Sequence, residues 1–418
     1  MIVIRALENT NRSMQRLGFL KYLASRCAAR DTSNLTVLGQ ELISTVTQKV
    51  KLSVKPEILR YIERRLTDRA YQELRKIASK NPEFLTLEIQ DVYLSSTELP
   101  SRTGKLVHDD WRKFPYFLSS LGLMRKGLYS LVVRGYALLK LVSPQEITAF
   151  KEYSSHFNPF KLDLKQKMLF LFQLLEHDGD ILQPLYSQIL AENGSFSDRD
   201  AGDLLPDIFR GLEKRLRTRV ISGSDILRLQ RLLSTASNVE KWKGKPYTGK
   251  GAREESITVR LEPLVDIGLL EKKDPCAYKY HLSLPGKAFF HFFTASDDID
   301  SFLGKYFFHS LNSSFKLGAK TTTNSNFILN QLYQSYDSLK SPWGYAPLTD
   351  VALLAGINSL ADKKVYFEIN DAIALLKTFQ KQQPEAIRFN INRMGKLAYV
   401  EFIIPPTNTQ IQPALRNK

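Results

Sequence analysis

The chain has 418 residues, with 59 Lys and Arg against 43 Asp and Glu, a formal charge of +16 and a pI near 9.5. Hydrophobic residues at 43% and aromatics at 11% can fill the cores of roughly two to four domains, which excludes wholesale disorder. The cation surplus favours a polyanionic partner such as nucleic acid, because each phosphate contact releases condensed counterions. Cys27 and Cys276 are the only cysteines, so neither a disulfide framework nor a zinc ribbon is expected, and a reducing cytosol suits the chain. No apolar run approaches the ~18 residues that span a bilayer, and the opening "MIVIRALENTNRSMQRL" lacks the apolar core of a signal peptide. A cytoplasmic protein with no membrane partner is the expectation.

In chain order, residues 14–90 read as helical. "MQRLGFLKYLASRCAAR" and "KPEILRYIERRLTDRAYQELRKIASK" space their apolar residues by helical turns, with Pro56 at a tolerated first-turn position. Turn residues fill 95–105. Residues 109–142 then give a helix, a stop, an extended return and a second helix. "LDLKQKMLFLFQLLEHDGDILQPLYSQIL", "DAGDLLPDIFRGLEKRL" and "SGSDILRLQRLLSTA" are helical by period, with the first two joined by a loop at 191–200. The linker at 240–256 reads as an exposed basic loop. Residues 347–382 predict two or three helices, and 386–403 a hairpin around Arg393-Met394-Gly395. The tail from 406 reads as disordered.

Two of these stretches repeat each other. Aligned on Gly122 and Gly268, Leu118 matches Leu264, Leu121 matches Ile267, and Leu123-Met124 match Leu269-Leu270. Tyr129 then matches Tyr280, Leu131 matches Leu282 and Gly135 matches Gly286. Each glycine should end its helix in the left-handed conformation, which costs a residue with a Cβ more. The residues after it should pair as two short strands before the next helix opens. A third copy, within 347–403, shares element order only.

The stretch "LVDIGLLEKKDPCAYKYHLSLPG" resembles the winged-helix superfamily of helix-turn-helix proteins, convincingly at 259–290, nearly as well at 114–139 and in outline at 350–403. The resemblance implies a mainly α fold with small β-hairpin wings (α+β), in two or three tandem winged-helix modules. The expected layout is 1–150 (a helical region ending in the first module), 151–300 (the second), 301–405 (the third) and a tail at 406–418. A recognition helix in the major groove, with the wing on phosphate, is the family's geometry. It assigns a middle recognition helix at about 252–267, presenting Arg253, Ser256, Thr258 and Arg260. Lys241, Lys243, Lys245 and Lys250 precede that helix, and Lys272 and Lys273 lie on its wing. In the first module the corresponding residues are Lys105, His108, Arg112 and Lys113, with Arg125 and Lys126 on the wing. In the third they are Asn370, Lys377 and Lys381, with Arg393 and Lys396 on the wing. Glu254 and Glu255 oppose phosphate while favouring the helix dipole.

Signals for catalysis fall short. "GKPYTGKG" has the spacing of a phosphate-cradling loop, but Gly251 stands where a Mg²⁺-holding hydroxyl is needed and no apolar strand precedes it. "HDD" at 108–110 and "HDGD" at 177–180 read as surface helix ends, and Asp266 with Glu271 as part of a glycine stop, not as metal ligands. The aromatic runs "AFFHFF" and "KYFFHSL" read as core on adjoining helices. No cofactor, metal or enzyme activity is expected. The expected function is sequence-specific or structure-directed binding of double-stranded DNA, with other protein subunits and a possible homo-oligomer as further partners. The resemblance implies an accessory or regulatory subunit of a prokaryotic defence, mobile-element or plasmid system. The alternative is a structural subunit whose winged helices contact proteins.

Overall fold

The computed structural model describes residues 4–7, 17–29, 113–125, 130–151, 161–192, 194–217, 226–227, 229–234, 237, 252–272, 279–320, 324–392 and 397–406. Most of these are helical, with short strands in three small sheets. Among them, no helix is long and apolar enough to cross a membrane.

A long helix, α5 (Leu164–Ala191), runs through the centre. Asp163 and Gln166 start it with a reciprocal capping box, each side chain accepting from the other's backbone N–H at 2.8 and 3.0 Å. Buried residues recur all round it, from Met168 to Leu175 and on to Ile189, as a helix enclosed by others requires. Near its start, Gln166 meets Lys21 of α1 (Leu17–Ala29), the Leu141 carbonyl that follows α3 (Val133–Lys140) and Glu146 of α4 (Pro144–Lys151). There the Lys21 ammonium meets Glu146 Oε1 at 2.5 Å and the Lys161 carbonyl at 2.7 Å. Burial lowers the Lys21 pKa. Burial also pushes the Glu146 carboxyl up, but Lys21 and the bonds from Ser143 and Gln166 outweigh it and hold Glu146 below its usual value.

The middle unit follows as α5, β1 (Ser195–Ser197), α6 (Asp198–Arg217), α7 (Ala252–Ile267), β2 (Leu270–Glu271) and β3 (Lys279–Leu282). The predicted loop at 191–200 therefore contains a strand. The antiparallel sheet has the order β1–β3–β2, with Phe196 opposite Tyr280 and Leu270 opposite Leu282. Ser197 and Asp200 cap α6 reciprocally. Ala201, Leu205, Ile208, Phe209, Leu212 and Leu216 give α6 one buried face. Helix α7 occupies the expected 252–267 and stops at Gly268, whose φ is +92°. The Leu269 N–H bonds back to the Leu264 carbonyl at 2.9 Å, closing the helix.

The earlier copy behaves in the same way. Helix α2 (Lys113–Ser120) stops at Gly122, with φ +66°. Leu123 N–H returns to the Leu118 carbonyl at 3.1 Å, and Met124 pairs antiparallel with Leu131 as Leu270 does with Leu282. Helix α3 then follows, as α8 (Leu284–Thr294) follows β3. Ser283 caps α8 by accepting from Gly286 N–H at 2.9 Å.

The remaining helices build the C-terminal half. The aromatic runs fall on α8, α9 (Ile299–Lys305) and α10 (Phe307–Phe315), where Phe289, Phe290, Phe293, Phe302, Phe307 and Phe308 are core, as expected. Edge-on ring contacts join Phe289 to Phe302 and, on α5, Phe172 to Phe307. After β4 (Ala319–Lys320) come α11 (Ser325–Leu339), β5 (Ala346–Pro347), α12 (Leu348–Lys363), β6 (Val365–Tyr366), α13 (Ile369–Gln382), β7 (Ile387–Ile391) and β8 (Leu397–Phe402). Strands β4 and β6 pair in parallel. The third sheet has the order β5–β8–β7, so apart from the short β6 between its last two helices this unit repeats the helix–strand–helix–helix–hairpin layout and sheet order of the middle unit. Helices α11, α12 and α13 pack on one another, and α12 also packs on α5.

Candidate nucleic-acid interface

Many of the predicted contacts, Lys105, Arg112, Lys126, Lys241, Lys243, Lys245, Lys250, Lys273, Arg393 and Lys396, lie outside the described residues, as do "HDD", "GKPYTGKG" and the tail from 407. Only the backbone of Lys113 and Arg253 is described, within α2 and α7. Arg125 is exposed beside the Met124–Leu131 bridge.

Helix α7 corrects the expectation for the middle unit. Ser256, Thr258 and Arg260 are 2%, 0% and 2% exposed, so none of them presents a side chain to a duplex in this fold. The Arg260 guanidinium grips Asp178 on α5, with Nε 2.7 Å from Oδ2 and Nη2 2.9 Å from Oδ1. It also donates to the carbonyls of Ser256 and Leu7, and Leu7 N–H donates to Asp178 Oδ1 at 2.8 Å. The pair thus ties α7, α5 and the N-terminal segment together. Asp178 is accordingly a buried ion-pair partner and not the surface helix end expected of "HDGD". Lys272 is corrected as well. Its ammonium lies 2.8 Å from Glu262, and the side chain is only 8% exposed. Tyr280 donates to the same Glu262 oxygen at 2.6 Å. Asp266 accepts from Leu17 N–H at 2.9 Å and so caps α1, while Gly268 provides the stop.

Helix α13 has an open face. Ile369, Ala372, Leu376 and Phe379 are buried, whereas Asn370, Ala374, Lys377 and Lys381 are exposed. Their spacing of four, three and four residues places them in one row along the helix. Asn370, Lys377 and Lys381 are thus predicted contacts that the structure describes on one exposed helix face. On the hairpin beside it, Arg388 and Asn390 of β7 are exposed, and Asn390 sits opposite the half-exposed Tyr399. These two were not singled out from the sequence, although alternation along "IRFNI" carried the signal.

The turn into α13 is held by a buried acid. Glu368 accepts from His309 N–H at 2.7 Å and Phe308 N–H at 3.2 Å, so it caps α10 from across the chain. Burial raises its pKa to about 7 against the pull of those two amides. A cleft of about 500 Å³ beside the α13 N-terminus is lined by Glu176, Asp298, Asp300, Lys305 and Asn370, among others. Its carboxylates are engaged, Glu176 by Arg134, Asp298 by the Ser301 amide and Asp300 by Arg5. Among the described residues, no three His, Cys, Asp or Glu side chains form a group that could hold a metal.

No family model, curated protein or solved structure matches this chain.

Proposed function

We propose that this chain binds double-stranded DNA through tandem winged-helix modules, and that the C-terminal module presents α13 to the major groove with the β7–β8 hairpin as its wing. The observation that carries this is the exposed row Asn370, Ala374, Lys377 and Lys381 on a helix whose other face is core. The sheet order shared by the middle and C-terminal units supports it, as does the overall charge of +16. Asn and Lys suit base edges and phosphates in that setting. The role we assign is binding, with no catalytic step.

The test is equilibrium binding of random duplex between about 50 and 200 mM salt. Binding should fall linearly on log–log axes. Lys377→Ala with Lys381→Ala should lower affinity and flatten the slope by roughly 1 for each phosphate that is no longer gripped. Salt-independent binding, or a double variant indistinguishable from the parent, would remove the reading.

The burial of α7 favours a second role for the middle unit. A helix with Ser256 to Leu264 all enclosed serves packing, so this unit acts as a scaffold for the others.

A further inference from the structure

The connection between α10 and α11 stands outside the helix–strand–helix–helix–hairpin unit but is fastened to its helix–helix turn. Ala319 N–H donates to the Lys364 carbonyl at 2.9 Å, and Ala319 and Lys320 pair with Val365 and Tyr366. Gly318 sits so close that a Cβ there would lie 1.9 Å from the Lys364 oxygen, and its N–H is held by Asn312. Residues 318–320 of the connection are therefore fixed against the turn.

Among the described residues, two non-glycine residues have positive φ, Lys316 at 52° and Lys364 at 58°. They are the C-caps of α10 and α12, positions where glycine avoids the clash of a Cβ with backbone. A lysine at each keeps a cation where a less strained residue would serve the backbone. Lys316, Lys320, Lys363 and Lys364 are all exposed. Lys364 rests its ammonium on the Ala361 carbonyl, which uses one of its three donors. Of the nearby acids, Asp362 is taken by Lys165 at 2.7 Å. Asp371 in the first turn of α13 stands 3.8 Å from Lys320 in an exposed pair, which places Lys320 beside the start of that helix.

We propose that the α10–α11 connection is a phosphate-gripping arm, in which Lys316 and Lys320, with Lys363 and Lys364 across the β4–β6 pairing, hold the sugar-phosphate backbone of duplex DNA where it flanks α13. The proposal rests on the reading that α13 faces a duplex. The surface is cationic, and the neighbouring Tyr366 is buried, so it suits backbone contact without base readout.

The experiment compares salt slopes of duplex binding for the full chain, for Lys316→Gly with Lys320→Ala, and for Lys377→Ala with Lys381→Ala. Glycine at 316 keeps the left-handed backbone, so the melting temperature should hold. Lys316→Asn, which also tolerates that conformation, replaces it if folding suffers. The arm variant should flatten the slope by roughly 2, at about 0.9 per phosphate, and weaken two unrelated duplex sequences by the same factor. An unchanged slope alongside a flattened one for the α13 variant overturns the arm alone. Absence of salt-dependent duplex binding by the parent chain overturns both the arm and the function beneath it.

Discussion

Gly286, the third residue of α8, lies against the Leu269 carbonyl so closely that a Cβ would come within 1.9 Å of the oxygen. Gly135, the third residue of α3, stands in the same relation to the Leu123 carbonyl, at 2.1 Å. In both copies the helix after the hairpin seats on the backbone just past the glycine stop. Gly286→Ala and Gly135→Ala should each destabilise by ~2–3 kcal/mol, because backbone must move to admit the methyl. Gly211 on α6 meets nothing within 4 Å, so Gly211→Ala should stabilise by ~0.5–1 kcal/mol through helix propensity alone. Urea midpoints of the three variants check the contrast.

The Arg260–Asp178 pair should behave as core. Arg260→Met leaves a carboxylate buried without its partner and should cost ~3–5 kcal/mol, and Arg260→Met with Asp178→Leu should recover much of that. Duplex affinity of the refolded double variant should match the parent. A selective loss of DNA binding at full stability would return Arg260 to the interface.

Glu368 links pH to the stability of the turn before α13. Its folded pKa, about 7, exceeds the ordinary value of 4.5, so the folded state favours the protonated carboxyl. The stabilisation is fully present below about pH 4.5 and is lost as pH rises through 7. The stability difference between the parent and Glu368→Gln should therefore shift in favour of the glutamine variant across that window. Thermal melts at pH 4.5, 6 and 8 measure it, and a difference that stays constant would contradict the assignment.

Cys27 lies buried on α1, and burial raises its thiol pKa to about 11. At pH 8 very little thiolate is present and the sulfur is covered, so Cys27 should resist alkylation in the native protein. Mass spectrometry of tryptic peptides after graded urea exposure should show it reacting only as α1 comes away from α2 and α3. Rapid labelling without denaturant would show the helix undocked.

Local chemistry was legible in the sequence where neighbours along the chain determine it. Gly122 and Gly268 announce helix ends because positive φ selects glycine, and the C-terminal bound of α7 follows from the stop. The burial of α7 was not legible, since Arg260 finds its counter-charge 82 residues away on α5 and Lys272 turns inward to Glu262. A cationic side chain looks the same in sequence whether water or a distant carboxylate receives it. The sheet of the C-terminal unit was not fully legible for a different reason. Strand β5 is only Ala346–Pro347, too short for alternation to register, yet pairing with Val400 and Tyr399 completes the sheet. The arm at Lys316 and Lys320 gave no signal in the sequence because its meaning depends on docking against residues more than 40 positions later.

Helix α5 has a consequence for any attempt to divide this protein. Arg134 of α3 bonds to Asp350 of α12 at 2.6 Å and to Glu176 of α5, while Phe172 of α5 meets Phe307 of α10. One rod is thus a common wall for the middle and C-terminal units. Cutting between those units would strip apolar flank from the second and strand its ions, so limited proteolysis should spare everything resting on that rod and release no autonomous C-terminal piece.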